Sequence, residues 1–309
     1  MNIEQNFDSV KYNKITISYR DISTFNVSKR SENDKYNKLR ENIVGCIINN
    51  KIPENYYNFS PQWLELKNEI NNYIKFLARN NDISNINDIK CIHKAGRRHH
   101  YDFNLIINNT NIFNVEFKFN CESVNDTAQF ISPMKPSQYL EDNYEEYYYD
   151  NYLVEHLKNN NFPIIPKELY LEKIHQPHPK CTESIQTKYY NGCKQSSKYT
   201  SKVDDIEFYN NFNKISKKSI SEFITKYNIK KDLLSDYLLE TQKNKIYMLY
   251  KDGKIYFQTI NLDDYIITNV IKQPEKYRYI CETKSNIKLK ILLRWKNGNG
   301  IAYPAFQIS

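Results

Sequence analysis

Two carboxylates and one ammonium stand at strand spacing in Tyr101-Asp102-Phe103-Asn104-Leu105-Ile106-Ile107 and Asn111-Ile112-Phe113-Asn114-Val115-Glu116-Phe117-Lys118-Phe119. Side chains alternate between the two faces of a strand. Tyr101, Phe103, Leu105 and Ile107 therefore share one face with Phe113, Val115, Phe117 and Phe119, while Asp102, Glu116 and Lys118 share the other. If Asn108-Asn109-Thr110 close a three-residue loop, Ile107 pairs with Asn111 and Asp102 falls opposite Glu116. Cross-strand Cβ atoms lie about 4.5–5.5 Å apart. Two carboxylates that close repel, and the pKa of one rises unless a cation sits between them. A hard divalent ion, Mg2+ with Mn2+ as its substitute, suits two carboxylates and water. Such an ion lowers the pKa of its water and neutralises charge on a phosphate undergoing hydrolysis. The nearby Lys118 ammonium adds a second positive centre.

The Glu-x-Lys string alone says little, since Glu65-Leu66-Lys67 and Glu282-Thr283-Lys284 repeat it. The copy at 116–118 differs in its setting: an alternating strand, an in-register Asp before it, and a long amphipathic helix before that. The competing reading is a solvated strand face with an ordinary Glu–Lys pair.

The elements that must position these groups are legible on both sides. Ile15 to Tyr19 alternates as a short strand. Ser31 to Asn49 has Tyr36, Leu39, Ile43 and Ile47 at helical spacing, and Pro53 ends it. Ser60 caps a second helix with Pro61 at its first position. Its stripe is Trp63, Leu66, Ile70, Tyr73, Ile74 and Leu77. Glu69 lies beside that stripe, closer to it than Glu65, and is the helix-borne acid best placed to reach a buried site. A strand over 89–95 and the basic run Arg97-Arg98-His99-His100 lead into the hairpin. Residues 124–160 are expected to be helical, interrupted at Pro133 and Pro136. Helical spacing returns near Ser219. Ile246–Tyr250 and Ile255–Gln258 around Asp252-Gly253 form a hairpin signal, and Ile287–Trp295 is expected to pair with Ile301–Ile308.

A helix with Glu, a strand, a strand with Asp and a strand with Glu-x-Lys resembles the PD-(D/E)xK nuclease superfamily, over roughly residues 60–140. The resemblance implies an α/β protein with a restriction-endonuclease-like core: a central mixed β-sheet flanked by helices, followed by a C-terminal helix and β-hairpin region. It implies Asp102, Glu116 and the backbone carbonyl of Phe117 as Mg2+ ligands, Lys118 as the group that positions the attacking water, and Glu69 as a helix-borne acid at the site. The Pro of the motif is absent, because Tyr101 precedes Asp102. The turn Arg294-Trp295-Lys296-Asn297-Gly298 with Pro304-Ala305-Phe306-Gln307 resembles the ends of restriction-like proteins of large DNA viruses. The activity implied is metal-dependent endonucleolytic cleavage of DNA, restriction-like. Double-strand cleavage favours two sites and hence a homodimer. The rivals are a structure-specific or repair nuclease and a non-catalytic nucleic-acid-binding protein.

Further candidates surround this core. Arg97, Arg98, His99 and His100 could meet scissile-strand phosphates or form a solvated turn. Lys288, Lys290, Arg294 and Lys296 alternate with Leu289, Ile291, Leu293 and Trp295; they could track a phosphate backbone or belong to a plain amphipathic strand. His175-x2-His178-x2-Cys181 with Cys193 offers ligand types for a structural Zn2+ or is a polar loop with free thiols. The cluster Tyr144–Tyr149 could stack bases or pack a helix face.

Composition sets the outer bounds. At 309 residues the chain can form one large domain or two modest ones, and we expect a nuclease core over 1–160, a loop-rich Cys/His insertion over 161–215 and an α/β region over 216–309. The 27 Tyr and 15 Phe supply core volume that Leu and Val would otherwise provide. The net charge of +8 agrees with a polyanionic partner. No apolar run approaches the roughly 20 residues needed to cross a bilayer, and the N-terminal residues lack a signal pattern. The expectation is a soluble intracellular protein, cytoplasmic or host-nuclear, whose six cysteines are thiols or metal ligands rather than disulfides.

Overall fold

The hairpin that carries Asp102, Glu116 and Lys118 forms in the register its alternation requires, Ile107 opposite Asn111 and Phe103 opposite Val115. Asn108 and Asn109 close it at positive φ, a conformation that Asn tolerates better than most residues. The computed structural model of the chain describes residues 7–27, 30–94, 99–124, 129–131, 135–175, 203–295, 300 and 304–309.

In chain order the strands are β1 (Val10–Tyr12), β2 (Ile15–Ile17), β3 (Ile89–His93), β4 (Phe103–Ile107), β5 (Asn111–Phe119), β6 (Gln129–Ile131), β7 (Lys245–Lys251), β8 (Lys254–Gln258), β9 (Ile267–Gln273), β10 (Arg278–Thr283), β11 (Lys288–Trp295) and β12 (Pro304–Ile308). The helices are α1 (Arg30–Ile48), α2 (Glu54–Phe59), α3 (Pro61–Asn80), α4 (Tyr144–Tyr148), α5 (Val154–Asn159), α6 (Lys167–Lys173), α7 (Val203–Lys226) and α8 (Lys231–Gln242). The protein is thus mixed α/β. Among the described residues no helix is long and apolar enough to cross a membrane.

The chain divides into two compact units, residues 1–127 with 242–260, and residues 128–241 with 261–309. The boundaries expected near 160 and 215 are not those of the structure. The reason is β7 and β8, which leave the C-terminal region and complete the first sheet.

The first unit holds a five-stranded mixed sheet in the order β3-β4-β5-β7-β8. Its neighbours are antiparallel except β5 and β7, which run parallel with Glu116 beside Tyr247 and Lys118 beside Leu249. A parallel pair needs a long crossover, and here residues 120–244 supply it. β7 and β8 meet across Asp252-Gly253, both at positive φ, the two-residue turn their sequence calls for.

Helices α1 and α3 pack on one face of this sheet. Ser60 caps α3 by accepting the Trp63 N–H, and all six residues of its expected stripe are buried. The core face of the hairpin, Phe103, Leu105, Ile107, Val115 and Phe117, is buried among them. From Arg40 to Ile48, α1 is buried almost all round. Arg40 is enclosed with its guanidinium on the Thr24 carbonyl, at 2.7 and 2.9 Å, and over the Phe119 ring.

The second unit holds an antiparallel sheet in the order β6-β12-β11-β10-β9. Residues 124–160 are not one interrupted helix. Residues 129–131 pair with β12, Pro136 opens a 3-10 turn, and helix begins only at Tyr144, after Asn143 caps it by accepting the Glu146 N–H. Tyr144, Tyr148 and Tyr149 of the aromatic cluster are buried. Tyr144 receives the Trp295 indole N–H at 2.9 Å and lies 3.0 Å from the Ser219 hydroxyl, while Tyr148 donates to the Gly300 carbonyl at 2.7 Å. These three rings are core, not a base-stacking platform. Cys46, Cys91 and Cys281 are buried thiols.

Candidate active site

β4 stops one residue short of Asp102, and its carboxylate continues the ladder. The Asp102 N–H donates to the Val115 carbonyl at 3.0 Å, and the Asp102 carbonyl accepts the Lys94 N–H at 2.8 Å. Beyond that point Asp102 Oδ2 accepts the Phe117 N–H at 2.9 Å. In an extended strand the N–H and C=O of one residue point to the same edge, so the Phe117 carbonyl opens on the edge that Asp102 occupies. Asp102 is therefore held against β5 by both backbone and side chain.

The Glu116 carboxylate lies between two ammonium groups. Lys118 Nζ is 2.5 Å from Oε1, and Lys245 Nζ is 3.9 Å from Oε2. Lys245 opens β7 beside Asn114 in the parallel register and donates to the His100 carbonyl at 2.9 Å. Next to these groups, Asn104 bonds Asn114 across the hairpin at 2.7 Å, and Asn114 bonds the Asn244 carbonyl at 2.9 Å. The polar row on this face is thus continuous over β4, β5 and β7.

Electrostatics tie the row together. Burial pushes the Asp102 carboxyl up to about 8, and the Glu116 and Glu41 charges push the same way, against Lys118 and the Phe117 N–H. Burial disfavours the Lys118 ammonium, but Glu116 and Asp102 outweigh it and hold that group above its usual range. Lys245 goes the other way: burial lowers it, and Glu116 only partly compensates. Glu116 and Glu41 each have a lysine within ion-pair distance, Lys118 and Lys38, whereas Asp102 has none among the described residues. A half-buried carboxylate with no ammonium of its own, pressed by two other acids and sharing an edge with a backbone carbonyl, is a donor set that fits a hard divalent cation. From the protein, Asp102, Glu116 and the Phe117 carbonyl would hold it. Among the described residues no group of three or more His, Cys, Asp and Glu side chains stands ready to hold a metal, so such an ion would draw its remaining ligands from backbone and water.

The structure brings Asp102, Glu116 and Lys118 together and leaves Glu69 elsewhere. Glu69 accepts from Lys254 Nζ at 3.0 Å and from the Ile255 N–H at 3.2 Å, tying α3 to β8. In the sheet β8 is two strands from β5. The helix-borne acid near Asp102 is Glu41 of α1, which the periodicity of 31–49 did not single out. Its signal was the apolar run that follows, Ile43-Val44-Gly45-Cys46-Ile47-Ile48, where a neighbouring charge needs a partner. Lys245 was missed because the sequence shows that β7 is a buried strand but not which strand it joins.

His99 and His100 are exposed, and the His100 carbonyl is the acceptor for Lys245. Arg97 and Arg98 lie outside the described residues, as do Lys296, His178, Cys181 and Cys193. On β11, Lys288 and Lys290 are exposed, Arg294 is half-buried, and Leu289, Ile291, Leu293 and Trp295 are buried. Lys288 pairs with Glu282 of β10 at 3.4 Å.

Comparison with protein families, with curated proteins and with solved structures finds no match to this chain.

Proposed function

We propose that the chain is a Mg2+-dependent endonuclease that hydrolyses DNA phosphodiester bonds through a restriction-endonuclease-like core, with Asp102, Glu116 and Lys118 as its catalytic residues. The observation that carries this reading is the convergence of Asp102, Glu116, Lys118 and the Phe117 backbone at the end of the β4–β5 ladder. The bound ion would supply a nucleophilic water of lowered pKa and neutralise charge on the phosphate.

The chain's own groups have distinct tasks. Asp102 and Glu116 hold the ion and fix its place relative to β5. Lys118 orients the attacking water and places positive charge where the phosphorane charge grows, an electrostatic contribution that increases as water is excluded. Lys245 fixes the second oxygen of Glu116 and, through His100, the segment entering Asp102. Water attacks phosphorus and gives up a proton to solvent, the bond to the leaving oxygen breaks, and that oxygen takes up a proton from solvent. The exposed imidazoles of His99 and His100 and the positive charge of Lys288, Lys290 and Arg294, within a net charge of +8, favour a polyanionic substrate.

The test is incubation of the protein with supercoiled plasmid, linear duplex, branched DNA and single-stranded DNA under Mg2+ or Mn2+. The proposal expects cleavage that Glu116→Ala and Lys118→Ala abolish while DNA binding persists. Preference for the branched substrate would redirect the reading to a structure-specific or repair nuclease. All four substrates left intact at saturating metal would leave a non-catalytic nucleic-acid-binding protein.

A further inference from the structure

The polar row on β5 ends at Lys118, and the two residues that follow it line a cavity. Phe119 and Asn120 border a space of ≈ 300 Å³ in the first unit, with Tyr250 of β7, Phe25 and Leu66. β5 and β7 run parallel, so the cavity lies at the carboxyl ends of both. Asn120 stands two residues past Lys118, about 7 Å along an extended chain. On the apolar side the Phe119 and Tyr250 rings are stacked with centroids 5.5 Å apart, and Phe25 meets Tyr250 edge-on. On the polar side are Asn26, Gln62, Glu65, Asn120 and Asp252. None of these five side chains has a hydrogen bond or ion pair among the described residues. The Lys251 ammonium, which also lines the cavity, is held by Glu122 at 3.0 Å.

We infer that this cavity binds one unstacked nucleobase, guanine before the others. An apolar floor with a few polar groups at its rim is the composition of a small-ligand pocket, and ≈ 300 Å³ stands at the lower end of their range, about 300–1,000 Å³. A phosphate does not suit it, because Glu65 and Asp252 repel the charge and Lys251 is already paired. A base turned out of its stack is held by aromatic and apolar side chains on its faces and by hydrogen bonds to its Watson–Crick edge. Both acids act on the Tyr250 hydroxyl, so they share one end of the cavity. Ionised carboxylates accept and do not donate. Guanine presents two adjacent donors, its N1–H and 2-amino group, which one carboxylate accepts together as a bidentate pair. Thymine presents a single N–H between two carbonyls, whose lone pairs would meet the same acids. The three amides can donate as well as accept, and so can serve the remaining acceptors of guanine. Phe119 lies across the sheet from Lys118, but β5 ends there, and a strand can pass from one to the other around that end. The pocket stands without the catalytic assignment; arrival of the base on a DNA strand rests on the nuclease reading.

Equilibrium dialysis of the full chain against free nucleosides, without metal, tests this. Wild type and Asp102→Asn should bind guanosine saturably and equally. Inosine, which lacks the 2-amino group, and thymidine should bind at least tenfold more weakly. Glu65→Gln and Asp252→Asn keep the shapes of their side chains, and at least one of them should weaken guanosine tenfold with far-ultraviolet circular dichroism unchanged. A thymine oligonucleotide carrying a single guanine should compete with guanosine. Guanosine that binds where this oligonucleotide fails to compete would support the pocket and overturn the DNA strand as its source. No guanosine bound by wild type, inosine bound as tightly as guanosine, binding lost in Asp102→Asn, or binding intact in both acid variants would each overturn the pocket. DNA left uncut by a protein that binds guanosine as expected would support the pocket and count against the nuclease reading alone.

Discussion

The Asp102 carboxylate completes the β4–β5 ladder by accepting the Phe117 N–H at 2.9 Å, one step past the last strand pair, Phe103 with Val115. One acidic side chain is thereby fixed to the backbone between Glu116 and Lys118. Its direction is set by the sheet itself and not by a flexible loop.

That placement has a thermodynamic signature. Asp102 has its folded pKa raised to about 8 from an ordinary value near 4. The folded state therefore holds a proton that the unfolded state has lost, and stability falls as pH rises between about 4 and 8, by at most about 1.4 kcal/mol per pH unit. Asp102→Asn keeps an acceptor for Phe117 and removes the titration. Urea denaturation at pH 5.5 and 8.0 should show wild type losing more stability than the variant, and Mg2+ should restore the difference at pH 8.0. Equal losses in the two proteins would contradict the assignment of this carboxyl.

Glu41 and Glu69 should separate cleanly. Glu41→Gln removes a charge that presses on Asp102, so the pH dependence just described should shift to lower pH, with DNA cleavage altered in the same experiment. Glu69→Gln loses the Lys254 pair but keeps an acceptor for Ile255, and should lower stability slightly with cleavage unchanged. Thermal denaturation and a cleavage assay on the same samples distinguish them. A Glu69→Gln protein that is stable and inactive would restore the role expected from its helical position.

Much of this site was legible before any coordinates. The alternation from Tyr101 to Phe119, with a turn closed by Asn108 and Asn109, was enough to put Asp102, Glu116 and Lys118 on one face, because period-two patterning and loop length together determine register. The limits were long-range. The apolar run Ile246–Tyr250 shows a buried strand, but parallel pairing with β5 joins residues about 130 positions apart, and no local signal reports that. Lys245 and the true unit boundaries were hidden for this reason. Helical angle alone ranked Glu69 above Glu65 within one helix and could not tell which of two helices brings an acid to Asp102, so Glu41 was not considered.

Lys245 offers a test of the parallel seam. Lys245→Met keeps the length and apolar stem of the side chain but loses the ammonium near Glu116 and the donor to the His100 carbonyl. We expect kcat to fall about tenfold, the loss of one charge-assisted hydrogen bond at about 1.4 kcal/mol, with little change in DNA affinity. Unchanged kcat would show that Lys118 alone governs Glu116.

Gly45 tests the contact of α1 with β3. A Cβ at this position would lie 2.1 Å from His93 Nε2 and 3.0 Å from the Tyr12 hydroxyl. His93 is neutral there, lowered to about 4 first by burial and then by Lys38. Gly45→Ala should cost about 1–3 kcal/mol from overpacking, and adding His93→Ala should recover part of it. A Gly45→Ala protein as stable as wild type in urea would mean that α1 does not approach β3 this closely.

The central claim is that Asp102 and Glu116 hold one divalent cation beside Lys118. Titration of Mn2+ into the protein, followed by the loss of free-ion electron paramagnetic resonance signal, addresses it without reference to substrate. One ion per chain that Mg2+ displaces is expected, with affinity at least tenfold weaker in Asp102→Asn and in Glu116→Gln. Wild type that binds no Mn2+, or binds it no better than those two variants, would contradict it.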